Sequence, residues 1–92
     1  MARFIATHPT VFTEEQLKPL AKEPLPEGVI WHATFCAFGA DRSYCHWEAP
    51  TRDALLEIFK KYEIPYTEIH EVRRFDPVTG LLEPEPKVVL PV

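Results

Sequence analysis

Val29-Ile30-Trp31-His32-Ala33-Thr34-Phe35-Cys36-Ala37-Phe38, then Gly39-Ala40-Asp41, then Ser43-Tyr44-Cys45-His46-Trp47-Glu48 closed by Ala49-Pro50, is the stretch that decides the fold. Its first segment is the longest run rich in β-branched and aromatic residues, Gly39-Ala40-Asp41 reads as a turn, and the second segment as an antiparallel partner. Upstream, Arg3 to His8 reads as a strand ended by Pro9. Thr13-Glu14-Glu15-Gln16 has the form of a capping box and starts a helix with Leu17, Leu20 and Ala21 on one stripe. Pro19 within that stripe keeps the helix brief or kinked. Downstream, Thr51 caps a helix that reaches about Tyr62, with Leu55, Ile58, Phe59 and Tyr62 on one face. Ile64-Pro65 breaks it, and Tyr66 to Arg74 reads as the last strand.

The order β-α-β-β-α-β is the split βαβ, ferredoxin-like arrangement, an α+β fold with a four-stranded antiparallel sheet and both helices on one face. The expected organisation is one domain over residues 1–76 and a proline-rich tail over 77–92, with Asp76 to Gly80 as a turn and Leu81 to Val92 extended.

Ninety-two residues allow one domain, and 46% apolar with 26% charged residues is ordinary globular composition. A chain this short leaves roughly a third of its surface wet, which a second copy would relieve. No run approaches the ~18 apolar residues of a membrane span. The net charge of −4 and the short basic pairs Lys60-Lys61 and Arg73-Arg74 offer no phosphate-tracking stripe, so nucleic acid is not an expected partner. The opening residues lack the length of a secretory signal, and Cys36 and Cys45 form neither a C-x-x-C nor a zinc-ribbon pattern. A cytoplasmic location is expected.

Alternation sorts the strand residues by face. In the second strand it puts Trp31, Ala33, Phe35 and Ala37 toward the helices and His32, Thr34, Cys36 and Phe38 on the open face. In the third it puts Cys45 and Trp47 inward, and Tyr44, His46 and Glu48 outward. If Ile5 and Ile69 face the helices, Phe4, Ala6 and His8, and Tyr66, Glu68 and His70, join the open face, and all four histidines share it. So apolar a face calls for a second copy, in the manner of dimeric α/β barrels, with the tail clasping the partner.

Imidazole, thiolate and carboxylate suit a divalent transition metal, and the candidate ligands are His8, His32, Cys36, His46, Glu48 and His70. His32 and Cys36 lie about 13 Å apart along a regular strand, so ligands must come from neighbouring strands. An enzyme is the alternative: an isomerase, cyclase or cofactor-free monooxygenase acting on a small organic molecule in the dimer cavity. There His46 or His32 would be the general base, and Tyr44 or Tyr66 would donate to a developing oxyanion. A third reading is a small-molecule or partner-binding module with no chemistry; the plainest reading of the residues is hydrogen-bonded interface histidines with Cys36 as a small buried hydrophobe. Cys45, Trp31 and Trp47 read as packing residues. No nucleophile elbow, phosphate loop or dinucleotide fingerprint is present.

The run Tyr44-Cys45-His46-Trp47-Glu48-Ala49-Pro50, leading into Thr51-Arg52-Asp53-Ala54, resembles a family of small nickel-binding proteins, many of them filed as a domain of unknown function. Arg3-Phe4 with His8, and Val29-x-Trp31, are similar too, and the likeness spans about residues 3–72. It implies a ferredoxin-like cytoplasmic homodimer that binds nickel or another divalent transition metal, with His8, Tyr44, Cys45 and Glu48 at matching positions. His46 and Trp47 depart from the family's usual residues there, and the chain after Phe75 extends past its usual end.

Overall fold

The computed structural model describes residues 1–86, so the expectation for the last six residues of the tail lies outside the described residues. The elements are β1 (Ala2–His8), α1 (Glu14–Ala21), β2 (Ile30–Ala37), β3 (Arg42–Ala49), α2 (Arg52–Lys61), β4 (Glu68–Val72), β5 (Phe75–Asp76) and β6 (Leu81–Leu82). β1 to β4 form one sheet in the order β2-β3-β1-β4, with every neighbouring pair antiparallel. The protein is therefore α+β, with two helices and a four-stranded antiparallel sheet.

Both helices start where the sequence places them. Thr13 accepts from the Gln16 amide while the Gln16 side chain accepts from the Thr13 amide, a complete capping box. Pro19 lies inside α1, which stops after eight residues. Thr51 caps α2 by accepting from the Ala54 amide, with Asp53 in the first turn and Lys60 and Lys61 in the last, as the helix dipole favours. α2 buries Leu55, Ile58 and Phe59 against Phe4, Ala6, Trp47 and Ile69 of the sheet. Leu17 and Leu20 of α1 line the same apolar space as Ile58, Phe59, Trp31 and Trp47, which puts both helices over one face.

Two strand phases differ from expectation. In β1, Ala2, Phe4, Ala6 and His8 face the helices while Arg3, Ile5 and Thr7 face away. The register explains it: Phe4 pairs with Trp47 and Ala6 with Cys45, whereas Ile5 pairs with His46. Three apolar side chains on one row outweigh a single isoleucine on the other. In β2 the register shifts between Trp31 and Ala33, so His32 is the extra residue of a β-bulge. Beyond it, Thr34 and Cys36 share the inward row with Cys45 and Ser43, while Ala33 and Phe35 share the outward row with His46 and Tyr44. The rows expected for Ala33, Phe35, Ala37, Thr34 and Cys36 are thereby exchanged. β3 keeps the expected phase, with Cys45 and Trp47 buried, and so do Ile69, Glu68 and His70 of β4, but β4 is shorter than expected, and Tyr66 lies before it with its ring 5.6 Å from that of Phe59 on the helix side rather than on the open face.

After β4 the expected turn closes a short hairpin. Phe75-Asp76 pairs with Leu81-Leu82 across the turn at Asp76 to Gly80, where Gly80 takes φ +72. The Glu83 amide then donates to the Arg74 carbonyl at 2.9 Å, which brings Glu83 back beside the sheet.

Candidate functional site

The outward face carries one compact polar cluster, built by β1, β2 and β3. Arg3 lies directly opposite Glu48, and Ile5 opposite His46, while the bulge sets His32 beside both. His32 Nε2 donates to Glu48 Oε2 at 2.5 Å. The His32 and His46 rings stack, with centroids 4.6 Å apart and planes 24° from parallel.

Arg3 organises the rest of the cluster. Its Nη1 donates to His46 Nε2 at 2.6 Å, and its Nε and Nη2 donate to the two carboxylate oxygens of Glu83 at 3.1 and 2.9 Å. This is a bidentate guanidinium–carboxylate pair, the geometry in which such contacts are strongest. The guanidinium holds the Glu83 carboxyl down at about 2, and Glu83 in turn raises the Arg3 pKa. Accepting at Nε2 puts the His46 proton on Nδ1. Burial lowers the His46 pKa, and the charges of Arg3 and His32 lower it further against the opposing pull of Glu48 and Glu83. His46 is held as a neutral imidazole whose Nε2 lone pair points at a cation.

The other candidate ligands lie elsewhere. His8 is fully buried on the helix side, where Nδ1 donates to the Pro65 carbonyl at 2.7 Å and Nε2 has no partner. Phe12 and Phe59 meet its ring edge-on, and burial lowers its pKa. Cys36 is also on the helix side, its thiol 3.5 Å from the Phe12 carbonyl. His70 stands on the outward face and pairs with Glu68 at 2.7 Å in the open. The four histidines therefore do not share a face: His32, His46 and His70 lie on one, His8 on the other. Of the positions matched by resemblance, Tyr44 and Glu48 face outward, His8 and Cys45 inward. Burial pushes the Cys45 thiol pKa up, so it stays a thiol beside Thr34.

An apolar cavity of about 30 Å³ lies between the helices and the sheet, lined by residues including His8, Phe12, Trp31, Cys45, Trp47 and Phe59. None of His32, His46 and Tyr44 lines it, so it does not serve the expected general bases. The sequence reading missed Arg3 and Glu83. Arg3 was visible beside Phe4 at the start of the first strand, but Glu83 reaches it only through the β5–β6 hairpin, whose two-residue strands are too short to leave a pattern.

These features define a class: a small α+β domain with helices over one sheet face and a histidine–carboxylate cluster on the other. Within that class, residues 5–72 match the model of the family described as nickel responsive protein SCO4226-like, and the chain belongs to that family. This is the kind of family that the Tyr44 to Pro50 run implied. Comparison with the curated proteins gives no match, and comparison with the solved structures gives none.

The donors partly fit nickel. Two imidazoles and a carboxylate are its accustomed ligand types, and His32, His46 and Glu48 adjoin one another. Among the described residues, however, no three His, Cys, Asp or Glu side chains converge into a ready metal group. Each donor is instead engaged, His46 Nε2 by Arg3 and Glu48 by His32.

Proposed function

We propose that this protein binds nickel, or another divalent transition metal, through His32, His46 and Glu48, and does so as a homodimer. One observation carries the reading: the β2 bulge stacks the two imidazoles over each other and beside a carboxylate on the uncovered face of a nickel-responsive family member. The metal would supply positive charge and a geometric demand that draws these side chains together. The chain's own part is to offer a neutral imidazole at His46, a carboxylate at Glu48 and a second imidazole at His32.

The partner is a second copy of this chain. Ile30 and Phe35 on the outward face are 44% and 61% exposed, beside half-buried Tyr44. Such side chains gain about 25 cal/mol per Å² when covered, and facing sheets complete the barrel. The element order and the strand order β2-β3-β1-β4 support a ferredoxin-like fold of the dimeric α/β-barrel type. Residues 1–76 would form the domain, and the chain from Pro77 its tail. Two free cysteines suit the reducing cytoplasm, and no helix of the described residues is long and apolar enough to cross a membrane.

Elemental analysis, then calorimetric titration of the full chain with nickel, zinc and copper, tests this reading. Near-stoichiometric uptake that is lost in His32→Ala and His46→Ala supports it. Weak, unselective uptake that is indifferent to both substitutions overturns it.

A further inference from the structure

We propose that Arg3 and Glu83 form a latch over the site, the Arg3 guanidinium competing with the metal for the lone pair of His46 Nε2. This rests on the metal-binding reading above and adds a control that the reading does not contain. All three nitrogens of the guanidinium are used: Nε and Nη2 hold the Glu83 carboxylate, and Nη1 holds His46. The imidazole lone pair has room for one acceptor bond, to a proton, to an N–H or to a metal ion. A metal arriving at His46 Nε2 must therefore displace Nη1. It also meets a positive charge at that point, and like charges repel.

Glu83 fixes where that charge sits. The β5–β6 hairpin returns Glu83 opposite Arg74, whose backbone amide contacts Glu83 Oε1 at 3.4 Å and whose carbonyl accepts from the Glu83 amide at 2.9 Å. The carboxylate thus holds the guanidinium over His46 and leaves it short of freedom to swing away. Metal binding at His46 then has a mechanical consequence: either the Arg3–Glu83 pair breaks, or the hairpin moves with Arg3. Arg3 and Glu83 both lie outside residues 5–72, so the family match does not speak for either of them.

The experiment has two arms on the full chain. In the first, nickel is titrated calorimetrically into wild type and into Arg3→Met, which keeps the aliphatic stem and removes the charge and the fork. The expected result is affinity higher in Arg3→Met by about tenfold or more, the low end of what groups bordering a metal site contribute. In the second, nuclear magnetic resonance follows the Arg3 Nε–H and the Glu83 amide of wild type as diamagnetic zinc is added. Both signals are expected to shift in step with the His46 ring, and neither to respond in His46→Ala. The second arm needs no change at Arg3 and stands if Arg3→Met fails to fold. Equal affinity in the two proteins, or a His46 ring that responds while Arg3 and Glu83 do not, overturns the latch and leaves the metal site standing. No metal response at His46 in either protein overturns both.

Discussion

On the helix-covered face of the sheet, Phe4, Ala6, Cys45 and Trp47 are between 0 and 4% exposed, whereas on the opposite face the side chains of Arg3, Glu48 and His32 are 16, 25 and 33% exposed. The same strands supply both sets, alternating residue by residue. The inward set answers mainly to volume: Phe59 meets Trp47 and His8 edge-on, and Trp31 stacks on Trp47 with ring planes 12° apart. The outward set answers to charge, each polar group held by one of opposite or complementary character. Histidine shows the contrast within one residue type. His8 is a neutral packing residue with one satisfied nitrogen, while His46 is a neutral imidazole poised against a guanidinium.

The sharpest way to break this contrast is to trade a side chain on each face. Phe59→Ala is expected to lose about 3–5 kcal/mol of unfolding free energy in urea, because it empties a close-packed site. His46→Ala is expected to cost only about 1 kcal/mol, the usual net worth of the one hydrogen bond it gives up to Arg3. Comparable losses from both would mean that the outward cluster is structural.

The outward apolar residues come next. Phe35→Asp is expected to weaken self-association measured by sedimentation while leaving the monomer's circular dichroism intact, since a charge would have to be buried against the second copy. An unchanged association constant would remove the facing-sheet dimer.

Acid separates the faces differently. The His8 pKa is lowered by burial from its ordinary 6.5, so the unfolded chain takes up that proton before the folded one does. The stability tied to His8 is therefore complete above about pH 6.5 and falls as the pH drops below it. Urea midpoints for wild type and His8→Gln are expected to differ in pH dependence across that window. The smallest effect belongs to Glu83, held at about 2 against an ordinary 4.5. Its pairing with Arg3 is complete above about pH 4.5 and is lost toward pH 2, where the carboxyl carbon signal of Glu83 should report release.

How much of this was legible depends on where the two faces differ in composition. β3 sorted itself, because Cys45 and Trp47 alternate with His46 and Glu48. So did α2, whose apolar residues recur at helical spacing. β1 was ambiguous, with Ile5 on one row and Phe4 and Ala6 on the other, and only the pairing with Trp47 and Cys45 decides it. β2 could not be sorted by alternation because a bulge costs one residue of phase and nothing local announces it. That bulge moved Thr34 and Cys36 to the helix side, while His32 stayed on the outward face where alternation had put it. Half the site, Arg3 with Glu83, joins residues eighty positions apart and needed the hairpin to be seen.

The most direct test of the central claim is nickel affinity compared across the outward histidines. Calorimetry on wild type, His46→Ala and His70→Ala is expected to show near-stoichiometric binding lost in His46→Ala. His70, which pairs with Glu68 away from the cluster, should leave it unchanged on substitution. Equal affinity in wild type and His46→Ala would contradict the account.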